Sequence, residues 1–204
     1  MKAVILAGGK GTRMESLTTF VPKPLLQYKG KSLLRHKLEV IPKYTTEIII
    51  VIGYIGEKIK EELGNEYLGT PIRYVLQKEL LGTAHALFKC KEHLKEDFIV
   101  LMGDDIYHKD DIDKLCRNNK WSVLVEQNDE STLDEEGTYK ILNGLLNGFT
   151  YTGACYLTSE VFDLEMVSIG KEYGLPQTLS KRSDKIEVII SEDWIRITDP
   201  EDLE

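Results

Sequence analysis

One short loop is built to hold an anion. Leu6-Ala7-Gly8-Gly9-Lys10-Gly11-Thr12-Arg13-Met14 follows an apolar run. Its glycine density lets backbone N–H groups come close to an anion, and Lys10 and Arg13 add positive charge. The spacing rejects two better-known phosphate loops. A GxGxxG fingerprint begun at Gly9 finds Gly11 and then meets Met14, and the next apolar run ends in Gly53-Tyr54 rather than in an acid for a ribose. Gly30-Lys31-Ser32 ends like a GxxxxGKS loop, but Leu25 stands where its first glycine is required. The loop is therefore a phosphate loop of another kind.

Three further stretches carry chemistry. In Pro22-Lys23-Pro24-Leu25-Leu26 two prolines are expected to hold the backbone extended around one lysine, which limits where that cation points. In Gln77-Lys78-Glu79-Leu80-Leu81-Gly82-Thr83-Ala84 the Gln77 amide offers both a donor and an acceptor, suited to reading a base edge, and Gly82 permits flat backbone approach. Gly103-Asp104-Asp105 puts carboxylates at the end of an apolar run, suited to holding Mg²⁺ against phosphates.

These loops need elements to hold them. Ala3 to Ala7, Glu47 to Gly53, Ile72 to Leu76 and Phe98 to Gly103 read as strands, and continuous Val/Ile/Leu runs suit strands covered on both faces. Between them the spacing predicts helices over Leu33 to Ile41, capped by Ser32 and ended by Pro42; over Gly56 to Leu63; and from a Thr83 cap through Leu94. Asp110 to Asn119 reads as another helix. This alternation argues a doubly wound α/β sheet. The second half is less regular. Trp121 to Gln127 and Thr152 to Leu157 read as strands, Asn128 to Glu136 as an acidic turn, and Tyr139 to Thr152 as a hairpin-like region turning at Asn143-Gly144 and Asn147-Gly148. Ser159 to Val167 and Lys171 to Ser180 are expected as helices, and Ile186 to Ile190 and Trp194 to Thr198 as short strands. Pro200-Glu201-Asp202-Leu203 reads as a helix start. A length of 204 residues without an evident linker predicts one domain.

Together the motifs resemble the sugar-1-phosphate nucleotidyltransferases, the nucleoside-diphosphate-sugar pyrophosphorylases. GGKGTRM, PKPLL, QKELLGTAHAL and LMGDDIY stand in that family's order over residues 1–107. Thr152-Gly153-Ala154-Cys155-Tyr156 and WIRITDPEDL resemble its later strand and closing segment. The resemblance implies a three-layer Rossmann-like fold of GT-A type with a mixed, mostly parallel central sheet. It implies a nucleotide-binding half at 1–107 and an acceptor-binding half at 108–204. By resemblance Leu6, Ala7, Gly8 and Gly9 line the nucleotide, with Gly11 and Thr12 at its phosphates. Arg13 neutralises the leaving pyrophosphate, Lys23 bridges the sugar phosphate and α-phosphate, Gln77 and Gly82 read the base, and Asp104 binds Mg²⁺. Asp105, Gly153, Glu172 and Arg196 are candidates on the acceptor side.

The implied reaction joins an NTP and a sugar-1-phosphate into an NDP-sugar and pyrophosphate. Three departures leave alternatives open. The family's second metal-binding Asp falls on Arg196, whose guanidinium could itself neutralise phosphate; Asp193 and Asp199 are the other acids nearby. The family's Glu-Lys-Pro motif gives way to residues 141–148, and its Asn-Thr-Gly reads Tyr151-Thr152-Gly153. A cytidylyltransferase acting on a non-sugar phosphate, or a non-catalytic nucleotide-binding relative, fits the same motifs.

Composition agrees with small anionic ligands. The net charge is −8, which excludes bulk attraction to nucleic acid or an anionic membrane, yet residues 1–43 hold nine Lys/Arg against two acids. Cys90, Cys116 and Cys155 show no metal-ligand spacing and read as buried, reduced thiols. No leader or membrane span is evident, and a cytoplasmic location is expected. The histidines His36, His85, His93 and His108 are expected on helix surfaces or in loops, and no nucleophilic triad is evident.

Overall fold

The computed structural model describes residues 1–117, 119–127, 141–142, 145–146 and 149–204, with only the backbone of 141–142 and 145–146. Seven strands make up the body of a ten-stranded sheet: β1 Lys2–Ala7, β2 Ile48–Ile52, β3 Thr70–Leu76, β4 Phe98–Met102, β5 Ser122–Gln127, β6 Phe149–Leu157 and β7 Glu187–Ile190. Their order is β7-β5-β6-β4-β1-β2-β3, with Glu66–Tyr67 pairing antiparallel beside β3. All neighbours run parallel except β6, which is antiparallel to both β4 and β5. The sheet is thus mixed and mostly parallel, as expected.

Helices cover both faces. α1 Leu33–Val40, α2 Gly56–Leu63 and α4 Lys109–Arg117 pack on the face that carries Ala3, Ile5, Ile48, Ile50 and Leu101. α3 Gly82–Phe88 and α5 Leu175–Leu179 pack on the face of Val4, Leu6, Ile49, Val51 and Val100. Alternate residues of one strand thus enter different cores, which is why these strands read as unbroken apolar runs. Ser32 caps α1 through its hydroxyl, 3.4 Å from Arg35 N. α4 has Asp110 and Asp111 in its first turn and Lys114 and Arg117 in its last, each favoured by the helix dipole.

Several expected elements change. The helix expected from Thr83 to Leu94 stops at Phe88 and resumes as a 3-10 turn, Lys91–His93. The tighter turns place Leu94 in the same core as Leu87 just before β4 begins. The helix expected at 159–167 is only a 3-10 turn, Ser159–Asp163. Residues Glu172–Gly174 are extended rather than helical, paired with Val167–Ile169, and α5 begins after them. Their conformation is set from afar, since Tyr173 N donates to Leu81 O at 2.8 Å. Residues 194–198 make no ladder, only one bridge between Ile195 and Ile106, because β7 already occupies the edge beside β5. The acidic turn at 128–136 and the Asn-Gly pairs lie outside the described residues. The short strand Leu145–Leu146 does ladder antiparallel onto β6, and Ile141–Leu142 ladders antiparallel onto Leu145–Leu146. Among the described residues no helix is long and apolar enough to cross a membrane.

Candidate functional site

β1 lies between β4 and β2, so the chain leaves it toward one side of the sheet and later returns to the other. Such a switch point opens a crevice at the carboxyl ends of the strands. A cleft of about 460 Å³ lies there. The loop after β1 forms one wall, and Leu6, Ala7, Gly8, Gly9, Gly11 and Thr12 all line it. Gly11 has φ +63°, and a Cβ there would sit 2.8 Å from the Lys23 Cβ. The loop therefore needs glycine to lie against the lysine. Lys10 and Arg13 are exposed on the cleft, and among the described residues neither has an ion-pair partner, which leaves both charges for a ligand.

Lys23 also lines the cleft, and it is 5% exposed. The backbone does not stay extended around it: Pro22 and Leu26 are extended, but Lys23–Leu25 makes one 3-10 turn. Its ammonium donates to Asp104 Oδ2 at 2.8 Å and to the Ile197 carbonyl. Asp104, at the end of β4, keeps a third of its side chain exposed and faces the cleft. Gln77, Gly82 and Glu172 line it as well, with Gln77 directly beside Gly8. Gly82 has φ +91°, and a Cβ there would stand 2.5 Å from the Tyr173 carbonyl oxygen. Its glycine is thus required by the packing of 172–174, not only by approach to a base. Glu172 reaches the cleft from the extended segment rather than from the expected helix start.

Three acceptor-side candidates fall elsewhere. Arg196 is exposed and does not line the cleft; its chain neighbour Ile197 reaches Lys23 instead. Gly153 sits behind Met102, where a Cβ would overlap the methionine side chain, so it acts by letting Met102 line the cleft. Asp105 turns away from the cleft, and its Oδ1 accepts from Ile197 N at 3.3 Å. Neither Asp193 nor Asp199 lines the cleft, and Asp199 instead forms a capping box with Asp202.

Beneath the cleft lies an unforeseen cation. Lys37 is fully buried, and its ammonium has no hydrogen-bond partner among the described residues. Burial pushes its pKa down to about 7, with nearby Lys23 acting in the same sense and the Asp104 and Asp105 carboxylates opposing. Burial and the Asp104 charge push Asp105 up to about 7. The signal for Lys37 was present in the spacing: it shares the apolar stripe of Leu33, Leu34, Leu38 and Ile41. His85 was misplaced too. It is buried against Gln77 rather than on a helix surface. Leu80, Thr83, Ala86 and Met102 also line the cleft. Leu80 and Thr83 stand within the motif that holds Gln77, whereas Ile197 lies in the closing WIRITDPEDL segment and meets Lys23 through its backbone, which its side-chain type does not signal.

A family model described as nucleotidyl transferase matches residues 2–123. The chain is 37% identical over 146 residues to the UTP–glucose-1-phosphate uridylyltransferase AglF of Haloferax volcanii, covering 69% of this chain and 59% of that protein. It is 30% identical to the D-glycero-alpha-D-manno-heptose 1-phosphate guanylyltransferase of Campylobacter jejuni, covering 99% of this chain and 96% of that one. The fold is shared with the inositol-1-phosphate CTP transferase from T. maritima, at a TM-score of 0.76 and 22% identity, over 100% of this chain and 91% of that one. The chain thus spans about three fifths of the first of these relatives and nearly all of the second.

Proposed function

Because the chain belongs to the nucleotidyl transferase family, we infer that it joins an NTP and a sugar-1-phosphate into an NDP-sugar and pyrophosphate. The observation that carries this reading is the cleft itself. Two cations without an ion-pair partner among the described residues, Lys10 and Arg13, line it, together with a buried lysine, Lys23, paired with the partly exposed carboxylate of Asp104. A phosphate-monoester oxygen attacks the α-phosphorus of the NTP, the bond from that phosphorus to the bridging oxygen breaks, and pyrophosphate leaves. A phosphate monoester is already a nucleophile at neutral pH, so no general base is needed. Both reactants are anions, and the protein's work is positioning and charge neutralisation.

The residues fit Mg²⁺ shared with phosphates rather than caged by protein. Among the described residues no group of three or more His, Cys, Asp or Glu is placed to hold a metal; two carboxylates line the cleft, Asp104 and Glu172, and Asp104 is the one paired with Lys23. Mg²⁺ is commonly held by one or two carboxylates together with substrate phosphates and water. When bound, it would withdraw charge from the phosphate oxygens. Asp104 would hold it, Arg13 would meet the leaving pyrophosphate, and Lys23 would steady the α-phosphate. The nucleotide half, 1–107, supplies the base and phosphate contacts, and Glu172 brings an acid from the acceptor half, 108–204, to the sugar. The non-sugar alternative rested on Arg196, which lies exposed outside the cleft. Three buried thiols suit a reducing compartment, the cytoplasm.

A panel of NTPs and sugar-1-phosphates with Mg²⁺ tests the reading. One pair should release pyrophosphate, and Asp104→Ala should lower that rate at least about a hundredfold. No turnover with any pair, or full turnover in Asp104→Ala, overturns it.

A further inference from the structure

Gln77 is 4% exposed, and two partners determine how its amide is turned. Its Nε2 lies 3.1 Å from the Gly82 carbonyl oxygen and 3.0 Å from His85 Nδ1. A carbonyl oxygen only accepts, so the amide atom facing it must be the nitrogen. His85 Nδ1 faces the same nitrogen and must therefore offer a lone pair, which leaves the imidazole neutral with its proton on Nε2. Burial and the Lys89 charge push the His85 pKa below its ordinary value, against an opposing pull from Glu79, and so favour that neutral form.

Both amide hydrogens are now used inside the protein. Oε1 remains. Among the described residues no donor reaches it, and it lies 3.0 Å from where a Cβ on Gly8 would stand. Gly8 and Gln77 line the same cleft, so the glycine leaves the oxygen uncovered. The group held out to a ligand is an acceptor with no donor beside it.

We propose that His85 is a positioning residue for base selection: by holding the Gln77 amide with its oxygen toward the cleft, it selects nucleobases that carry a ring imino N–H. Uracil, thymine and guanine carry such a hydrogen. Cytosine and adenine carry an exocyclic amine, but beside it a bare ring nitrogen whose lone pair opposes that of Oε1. The proposal rests on the reading of the cleft as a nucleotide site.

Calorimetric titration of UTP, dTTP, GTP, CTP and ATP, each with Mg²⁺, tests it in the wild-type chain, His85→Leu and His85→Asn. The wild type should bind at least one imino-bearing nucleotide about tenfold more tightly than CTP or ATP. His85→Leu should lower that ratio to about threefold or less, because the Gly82 carbonyl alone then holds the amide. His85→Asn, whose side-chain oxygen can accept in place of Nδ1, should retain most of it. Pyrophosphate affinity should be equal in all three proteins. Equal affinity for all bases in the wild type, an unchanged ratio in His85→Leu, or loss of pyrophosphate affinity in both variants overturns the proposal. Selective binding without pyrophosphate release from any sugar phosphate keeps it and overturns the enzymatic reading. Pyrophosphate release without base preference does the reverse.

Discussion

Lys37 carries a charge into the apolar stripe of α1, where Leu33, Leu34 and Leu38 are also buried. With no hydrogen-bond partner, its ammonium is a net cost to the fold. The folded pKa, about 7, lies below the ordinary 10.5, so the unfolded chain binds more protons between these values. Stability therefore rises with pH across that window. Asp105 shifts the other way: its folded pKa of about 7 lies above 3.8, so its contribution falls as pH climbs to 7 and is level beyond. The buried thiols, pushed up to about 12, begin to matter only near the ordinary thiol value of 9. Between pH 7 and about 8.5 the pair's pH dependence thus belongs to Lys37. Net of the attraction Lys37 gives Asp105, Lys37→Met should stabilise the protein by about 2 kcal/mol at pH 7, and the gain should shrink toward pH 8.5. Urea melts at the two pH values read this; a loss of stability, or a gain that does not shrink, would show that the ammonium is satisfied after all. At this scale the motif residues Lys10, Arg13, Lys23, Gln77 and Asp104 were legible, because a loop after a strand positions its own side chains. Asp105 and Arg196 were not, since which way adjacent residues turn depends on what packs behind them: Ile197 lies between them, bonded through its N–H to one side and its carbonyl to Lys23.

The strands and α1 and α2 followed from pattern, because a parallel strand covered on both faces must be apolar throughout and a covering helix must be apolar on one side. The start of α3 did not. A threonine before an apolar run reads as a cap, yet Thr83 lies inside the helix and its hydroxyl accepts from Leu175 N at 2.9 Å. The same junction sets Glu172–Gly174, whose extended form is imposed by Leu81 and Gly82 about 90 residues earlier. A helical reading of 171–180 could not see that bond. Gly82→Ala should therefore act across both elements. The strain at φ +91° and the 2.5 Å approach to Tyr173 should cost about 2–3 kcal/mol and slow hydrogen exchange should be lost at Tyr173. Retained protection at that amide, with an unchanged melting midpoint, would contradict the coupling of α3 to the 172–174 strand.

The main sheet carries a core on each side, and the thiols report on both. Cys116 belongs to the core under α1, α2 and α4, and Cys90 and Cys155 to the core under α3 and α5. All three are buried, and burial pushes each thiol up to about 12. They should resist a thiol reagent in the folded protein and become reactive at one denaturant concentration, because each strand of the central sheet feeds both cores. Early reaction of Cys116 alone, followed by mass spectrometry, would mean that the two faces open separately. Charge changes meaning at this scale as well. Much of the cationic N-terminal segment is spent internally: Lys2 pairs with Glu47, Lys31 with Glu39 and Arg35 with Glu62, and Lys37 is sealed in the core. Lys10 and Arg13 have no ion-pair partner among the described residues and line the cleft, as does Lys23. The sheet's central strands, the anion loop and the motif residues at the strand ends can be read from the amino acids alone, because periodicity and local spacing encode them within a few residues. Which of two adjacent aspartates faces the cleft, which way the Gln77 amide turns, and the meeting of the Ile197 carbonyl with Lys23 are settled by the folded chain. Each of these is a hydrogen bond or a packing contact between distant segments, and its partner is chosen by the fold rather than by any neighbour in the chain.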